Sequence, residues 1–179
     1  GAVNLQTAET VRAAAGLVRD GHTFTLNHPI DVPDPPLYSR RTVAWTRFTT
    51  RRGNLDDYLD SFYPQASTQW DGFLHVAHPD SGRYNGRGIE ELGFETIAQR
   101  GLAGRGVLLD VAAMREADGD PIAWGAPVDI TVADLERCRL RAGLDRRPGD
   151  VLLIRTGWET GYRAIDGAGQ ARLGGAAGP

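Results

Sequence analysis

The 179-residue chain has one cysteine, Cys138, so it can form no internal disulfide and cannot assemble a zinc site from thiolates. Any bound metal must be held through nitrogen and oxygen. It also has no apolar run near the roughly 20 residues that a membrane helix needs, and its opening GAVNLQTAET lacks a basic segment followed by an apolar one. A soluble, cytoplasmic protein is the expectation. Charge of one sign is missing too: 20 basic and 23 acidic side chains give a formal charge of -3, with both signs spread along the chain. That balance argues against nucleic acid or an anionic membrane as partner and favours a small substrate. No repeat of solenoid period occurs, and the glycines of GLAGRG precede a strand pattern instead of following one, so they predict a turn and no nucleotide loop.

Local patterns predict mixed α/β structure. Thr7 caps a helical period through AETVRAAAGLVRD with Gly21 as the stop, and Thr131 caps TVADLERCRLRAGL, whose Val132, Leu135, Cys138 and Leu140 form an apolar side. GVLLDVA and DVLLIRT are apolar runs bounded by turn residues, as in buried central strands. HTFTL and TVAWTRF read as further strands. The four prolines of HPIDVPDPPLYSR exclude regular structure there, TTRRGNLDDYLDSFYPQ shows no clean period, and the Gly- and Ala-rich DGAGQARLGGAAGP reads as a loop.

The chemistry concentrates in STQWDGFLHVAHPDSGRYNG. Two of the four histidines, His75 and His78, stand within seven positions of Asp71. A helix would place Asp71 and His75 on one side, but Gly72 and the β-leaning TQW favour an extended segment with Gln69, Asp71 and His75 on one face and Leu74 and Val76 on the other. Held together, Asp71 and His75 can orient an imidazole for proton transfer or share a divalent cation. The plainer alternative is an Asp accepting from a turn amide and a His satisfied in a core. His78, before PDSG, reads as a surface turn residue, and His22, after Gly21, as a cation at a helix end. Trp45, Trp70, Trp124 and Trp158 read as core before pocket. Arg155 and Glu159 flank TGW just after a strand, where α/β folds often open a ligand crevice.

STQWDGFLH resembles the signature of the cyclase family that includes bacterial kynurenine formamidase, in which a His, a Gly-Thr-His, an Asp and a final His recur at fixed spacing. LNHPID and GDVLLIRTGWETGY are similar to the family's opening strand and to its central strand with the turn that follows. The QWDG variant, followed by HVAH and YNG, looks like a branch of that family with poorly defined substrates. Residue on residue, Gln65 and Gln69 fall on the first two histidines, Asp71 on the aspartate and His75 on the last histidine. The resemblance implies a single cyclase-family domain over residues 1–179, of swivelling β/β/α type, whose C-terminal part lies beyond the chain together with further His and Glu ligands. It also implies a homodimer or homotetramer. The implied activity is metal-dependent hydrolysis of a small amide or formamide, arylformamidase-like and of the kind used in tryptophan catabolism. His75 would be the general acid/base and Asp71 a catalytic metal ligand. Gln69 would be a second ligand through its carbonyl, and Gln65, Gln69, Trp70 and His28 would lie against substrate. The implied ion is zinc or manganese. An amide oxygen in place of imidazole leans the site toward harder cations. Two rival expectations are cyclisation or dehydration of a biosynthetic intermediate, and a ligand-binding member that lost the metal histidines.

Overall fold

The computed structural model describes residues 2–175 and divides the chain into two compact units. One combines the described residues up to Thr23 with Glu95–Tyr162, and the other combines Phe24–Phe94 with the described residues from Arg163 onward. Among the described residues no helix is long and apolar enough to cross a membrane.

The first unit is built on two parallel strands, β3 (Gly106–Asp110) and β4 (Val151–Arg155), in register from Gly106 opposite Val151 to Asp110 opposite Arg155. Val107 and Leu109 alternate inward along β3 and meet Val111 and Met114 of α3 (Val111–Ala117) and Cys138 of α4 (Val132–Arg141). Ile122, Ile130, Leu135 and Leu144 pack around this core. The runs expected as wholly buried strands therefore bury one face, and Leu108, Leu152 and Ile154 stay exposed. α4 begins where its capping box predicts: the Thr131 hydroxyl accepts from the Asp134 amide, and the Asp134 carboxylate accepts from the Thr131 amide. Arg105 ties the start of β3 to that of β4. Its guanidinium donates to Asp150 at 2.7 and 2.9 Å and to Asp145 at 2.8 Å.

α1 (Ala8–Ala15) has its expected Thr7 cap but stops at Gly16, well before Gly21. After Ala15 the period has no surface to cover, and Leu17 and Val18 are exposed. His22 consequently stands at no helix end. HTFTL forms no strand either. Phe24 and Leu26 are 83% and 70% exposed, so the segment has neither a core face nor a strand to pair with.

In the second unit, β1 (Ala44–Thr49) forms as expected, and the segment read as irregular supplies its antiparallel partner β2 (Leu55–Asp60). Gly53, at φ +83, makes the tight turn between them, and the Asn54 carbonyl accepts from the Thr50 amide at 2.7 Å. Trp45 lies opposite Leu59, donates to Asp57 at 2.7 Å and carries the Arg47 guanidinium over its ring. It is 57% exposed and Trp70 is 60% exposed, so neither belongs to a core. The Gly-rich tail also departs from expectation. Asp166 accepts from the Gly169 amide at 2.8 Å and caps α6 (Gly167–Gly174), where the cap and the Ala, Gln, Arg and Leu between the glycines outweigh glycine's cost. Its last residue lies so close to Pro35 that a Cβ at 174 would stand 2.6 Å from the proline ring. Residues 176–179, the end of that predicted loop, lie outside the described residues.

Candidate active site

The segment around Asp71 is neither the expected strand nor a helix. Gly72 to His75 form a turn, in which the His75 amide donates to the Gly72 carbonyl at 3.4 Å. The turn carries the imidazole back over the carboxylate, and His75 Nδ1 lies 2.6 Å from Asp71 Oδ2. The other carboxylate oxygen, Oδ1, accepts from the Gly72 amide at 2.9 Å, so the acid is held from two sides. An ionised carboxylate only accepts, which places the proton of a neutral His75 on Nδ1 and leaves Nε2 as a base. Both side chains are partly exposed, at 38% for His75 and 44% for Asp71, so neither is a core residue. Leu74 and Val76 are exposed as well, and the expected apolar face does not form.

Further contacts fix the loop. Phe73 stacks on Tyr84 with ring centroids 4.3 Å apart, Arg83 donates to the Leu74 carbonyl at 3.4 Å, and His78 and Gly82 exchange backbone hydrogen bonds of 2.9 Å. His78 Nδ1 accepts from the amides of Asp80 and Ser81, each at 3.2 Å. It is the surface turn residue that the sequence predicts. A cavity of about 560 Å³ opens here, lined among others by Asp71, His78, Arg83, Tyr84 and Asn85, and His75 is not among its lining residues. Sequence reasoning passed over Arg83, since an arginine in a turn belongs to no periodic pattern.

The remaining candidates divide. His28 is brought to this segment by its backbone: its amide donates to Thr68 Oγ1 at 2.9 Å, and Ser67 donates to the Pro29 carbonyl at the same distance. Gln65 sits in a short 3-10 turn, Pro64–Ala66, and Gln69 is likewise half-buried. Neither these two nor the exposed Trp70 lines the cavity beside Asp71. In the first unit, Arg155 stands at the end of β4 and its Nη1 donates to both oxygens of Asp110, at 2.9 and 3.1 Å. Burial pushes the Asp110 carboxyl up, but the Ala113 amide and Arg155 together hold it below the usual range.

A family model described as Cyclase matches residues 24–175, which takes in both β strand pairs and the Asp71 loop. The chain belongs to the cyclase family. A solved structure, described as the crystal structure of a novel cyclase, is 32% identical to it with a TM-score of 0.80. The likeness covers 97% of this chain and 63% of that one, so this chain spans less than two thirds of its relative's length. No curated protein matches it.

The residues present give an incomplete donor set for a divalent ion. Among the described residues no group of three or more His, Cys, Asp and Glu side chains converges. At the cyclase loop there are two, and His75 Nδ1 is already engaged with Asp71 Oδ2. Tight zinc sites take three or four protein donors.

Proposed function

We propose that this cyclase-family chain belongs to a hydrolase that cleaves the C–N bond of a small amide or formamide, an arylformamidase-like activity, with His75 as general acid/base and Asp71 as the group that orients it. One observation carries the reading: the 2.6 Å contact between His75 Nδ1 and Asp71 Oδ2. It fixes the tautomer and aims a basic Nε2 away from the pair, as a proton shuttle requires.

In the proposed reaction Nε2 takes a proton from water as the water oxygen bonds to the amide carbon. The same nitrogen then returns the proton to the leaving amine as the C–N bond breaks. A formamide yields formate and a free amine. Asp71 stabilises the transient imidazolium and stays ionised throughout. Arg83, which lines the cavity beside Asp71, is proposed as a further substrate contact. His28, Gln65, Gln69 and Trp70 are proposed as substrate contacts from the adjoining segments. Zinc or manganese, the ion the resemblance implies, would take Asp71 and Gln69 as donors and need further ones besides.

The test is release of formate from N-formylkynurenine and from a simple aryl formamide by the full-length protein, with bound zinc and manganese measured on the same sample. His75→Ala is expected to lower the rate about 10²- to 10⁴-fold, and Asp71→Asn to lower it while shifting the pH profile. A wild-type rate in His75→Ala overturns the reading.

A further inference from the structure

The first unit holds a second cavity, of about 470 Å³, at the carboxyl ends of β3 and β4, within the range of small-molecule sites. The carboxyl ends of parallel strands are where open α/β sheets bind ligands, because the chain leaves in loops there and the strand ends present polar groups to the crevice. Its walls are the end of β4, α3, the loop from Pro121 to Ile130, and the start of the helix α5 (Trp158–Ala164).

Three features make it a built site. Arg155 lines the cavity whereas its counter-ion Asp110 does not. Both bonds of the pair leave from Nη1, and Asp110 is further fixed by the Ala113 amide at 2.9 Å, so the guanidinium is oriented by an acid outside the cavity. The aromatic wall is equally fixed. Trp124 donates from Nε1 to the Trp158 carbonyl at 2.8 Å, and Trp158 stacks on the buried Tyr162 at 5.2 Å with planes 12° apart. The Trp124 indole occupies space that only a glycine at 161 leaves open, since a Cβ there would lie 1.8 Å from Cδ1. Two indoles and a guanidinium are thus organised before any ligand arrives. The lining includes one carboxylate, Glu116, which disfavours a ligand of two negative charges.

The geometry points to a binding site for a small planar aromatic monocarboxylate, its carboxylate on Arg155 and its ring against Trp124 and Trp158. Guanidinium recognises carboxylate by paired N–H donors, and an indole face accepts a flat ring at little cost in rotamer freedom. The site stands on first-unit residues alone and does not depend on the roles proposed for Asp71 and His75.

Calorimetric titration of the full chain with benzoate tests it, with indole N–H resonances as a second readout. Benzoate is expected to bind at least tenfold more tightly than its neutral isostere benzamide and than the dianion phthalate, and to shift the Trp124 and Trp158 signals. Arg155→Gln should abolish the preference for benzoate over benzamide, and Trp158→Leu should weaken both ligands together. The comparison of benzoate with benzamide on the unaltered chain needs no variant to fold. Absence of benzoate binding, equal affinity for the two, or benzoate bound by Arg155→Gln as by the parent would overturn the proposal.

Discussion

Gly161→Ala sets helix propensity directly against packing. Gly161 lies inside α5, where replacing glycine by alanine ordinarily stabilises by about 1 kcal/mol. Here the new Cβ would stand 1.8 Å from Trp124 Cδ1 and 2.2 Å from both Cγ and Nε1. Carbon contacts rest at about 3.5–4.0 Å, so the indole must retreat by about 2 Å. That movement breaks the 2.8 Å bond from Trp124 Nε1 to the Trp158 carbonyl, worth about 0.5–1.5 kcal/mol net. It also forces a repacking of the kind that costs about 1–3 kcal/mol. After the propensity gain, a loss of about 1–3 kcal/mol remains. For a chain of this size that lowers Tm by about 3–10 °C. Thermal melting followed by circular dichroism gives the shift, and the Trp124 indole resonance should move with it. A rise in Tm with that resonance unmoved would refute the packing argument and return the position to simple propensity.

Leu109→Ala empties the centre of the first unit's core and should cost about 2–5 kcal/mol, read from the urea midpoint, because Leu109 is 3% exposed and its neighbours sit on rigid elements. Asp166→Ala removes the acceptor of the Gly169 amide and should cost about 1 kcal/mol, seen as early loss of helical signal on heating. Acid should loosen the first unit. The hydrogen bond from Arg147, then that from Arg105, holds the Asp145 carboxyl down at about 2, and Arg105 likewise lowers Asp150. A carboxyl depressed on folding contributes stability present above its ordinary value near 4 and lost as pH falls through the folded value, so the urea midpoint should drop between about pH 4 and pH 2. Arg105→Gln should flatten that drop, and an unchanged slope would show that the clamp is not its source.

Elements that carry their own instructions were legible in the sequence. Thr131 and Asp134 satisfy each other's amides within one turn, so α4 starts where the capping pattern places it. The runs around Leu109 and Leu153 form strands because β-branched and long apolar side chains pack on a pleated face. Partnership between distant segments left no local trace. LDDYLD has acids where a strand face would be apolar, and it becomes β2 because the turn at Gly53 returns it to β1. HTFTL alternates well but meets no second strand and stays irregular. The tail from Asp166 has the glycine content of a loop, yet one capping carboxylate starts a helix there.

The same division holds at the candidate site. The sequence by itself determined that any metal would have to be held through nitrogen and oxygen, that Asp71 and His75 stand four positions apart, and, through the resemblance carried by STQWDGFLH, that the chain is of the cyclase family, since residue type and short separations are written in the chain itself. Tertiary structure alone decided that a turn, not a strand, joins the two, that Arg83 stands in the wall of the cavity beside Asp71, and that Trp124 and Trp158 frame a pocket with Arg155. The reason is physical: a hydrogen bond or a cavity wall depends on where the backbone turns and on what approaches from far along the chain, and a linear pattern records neither.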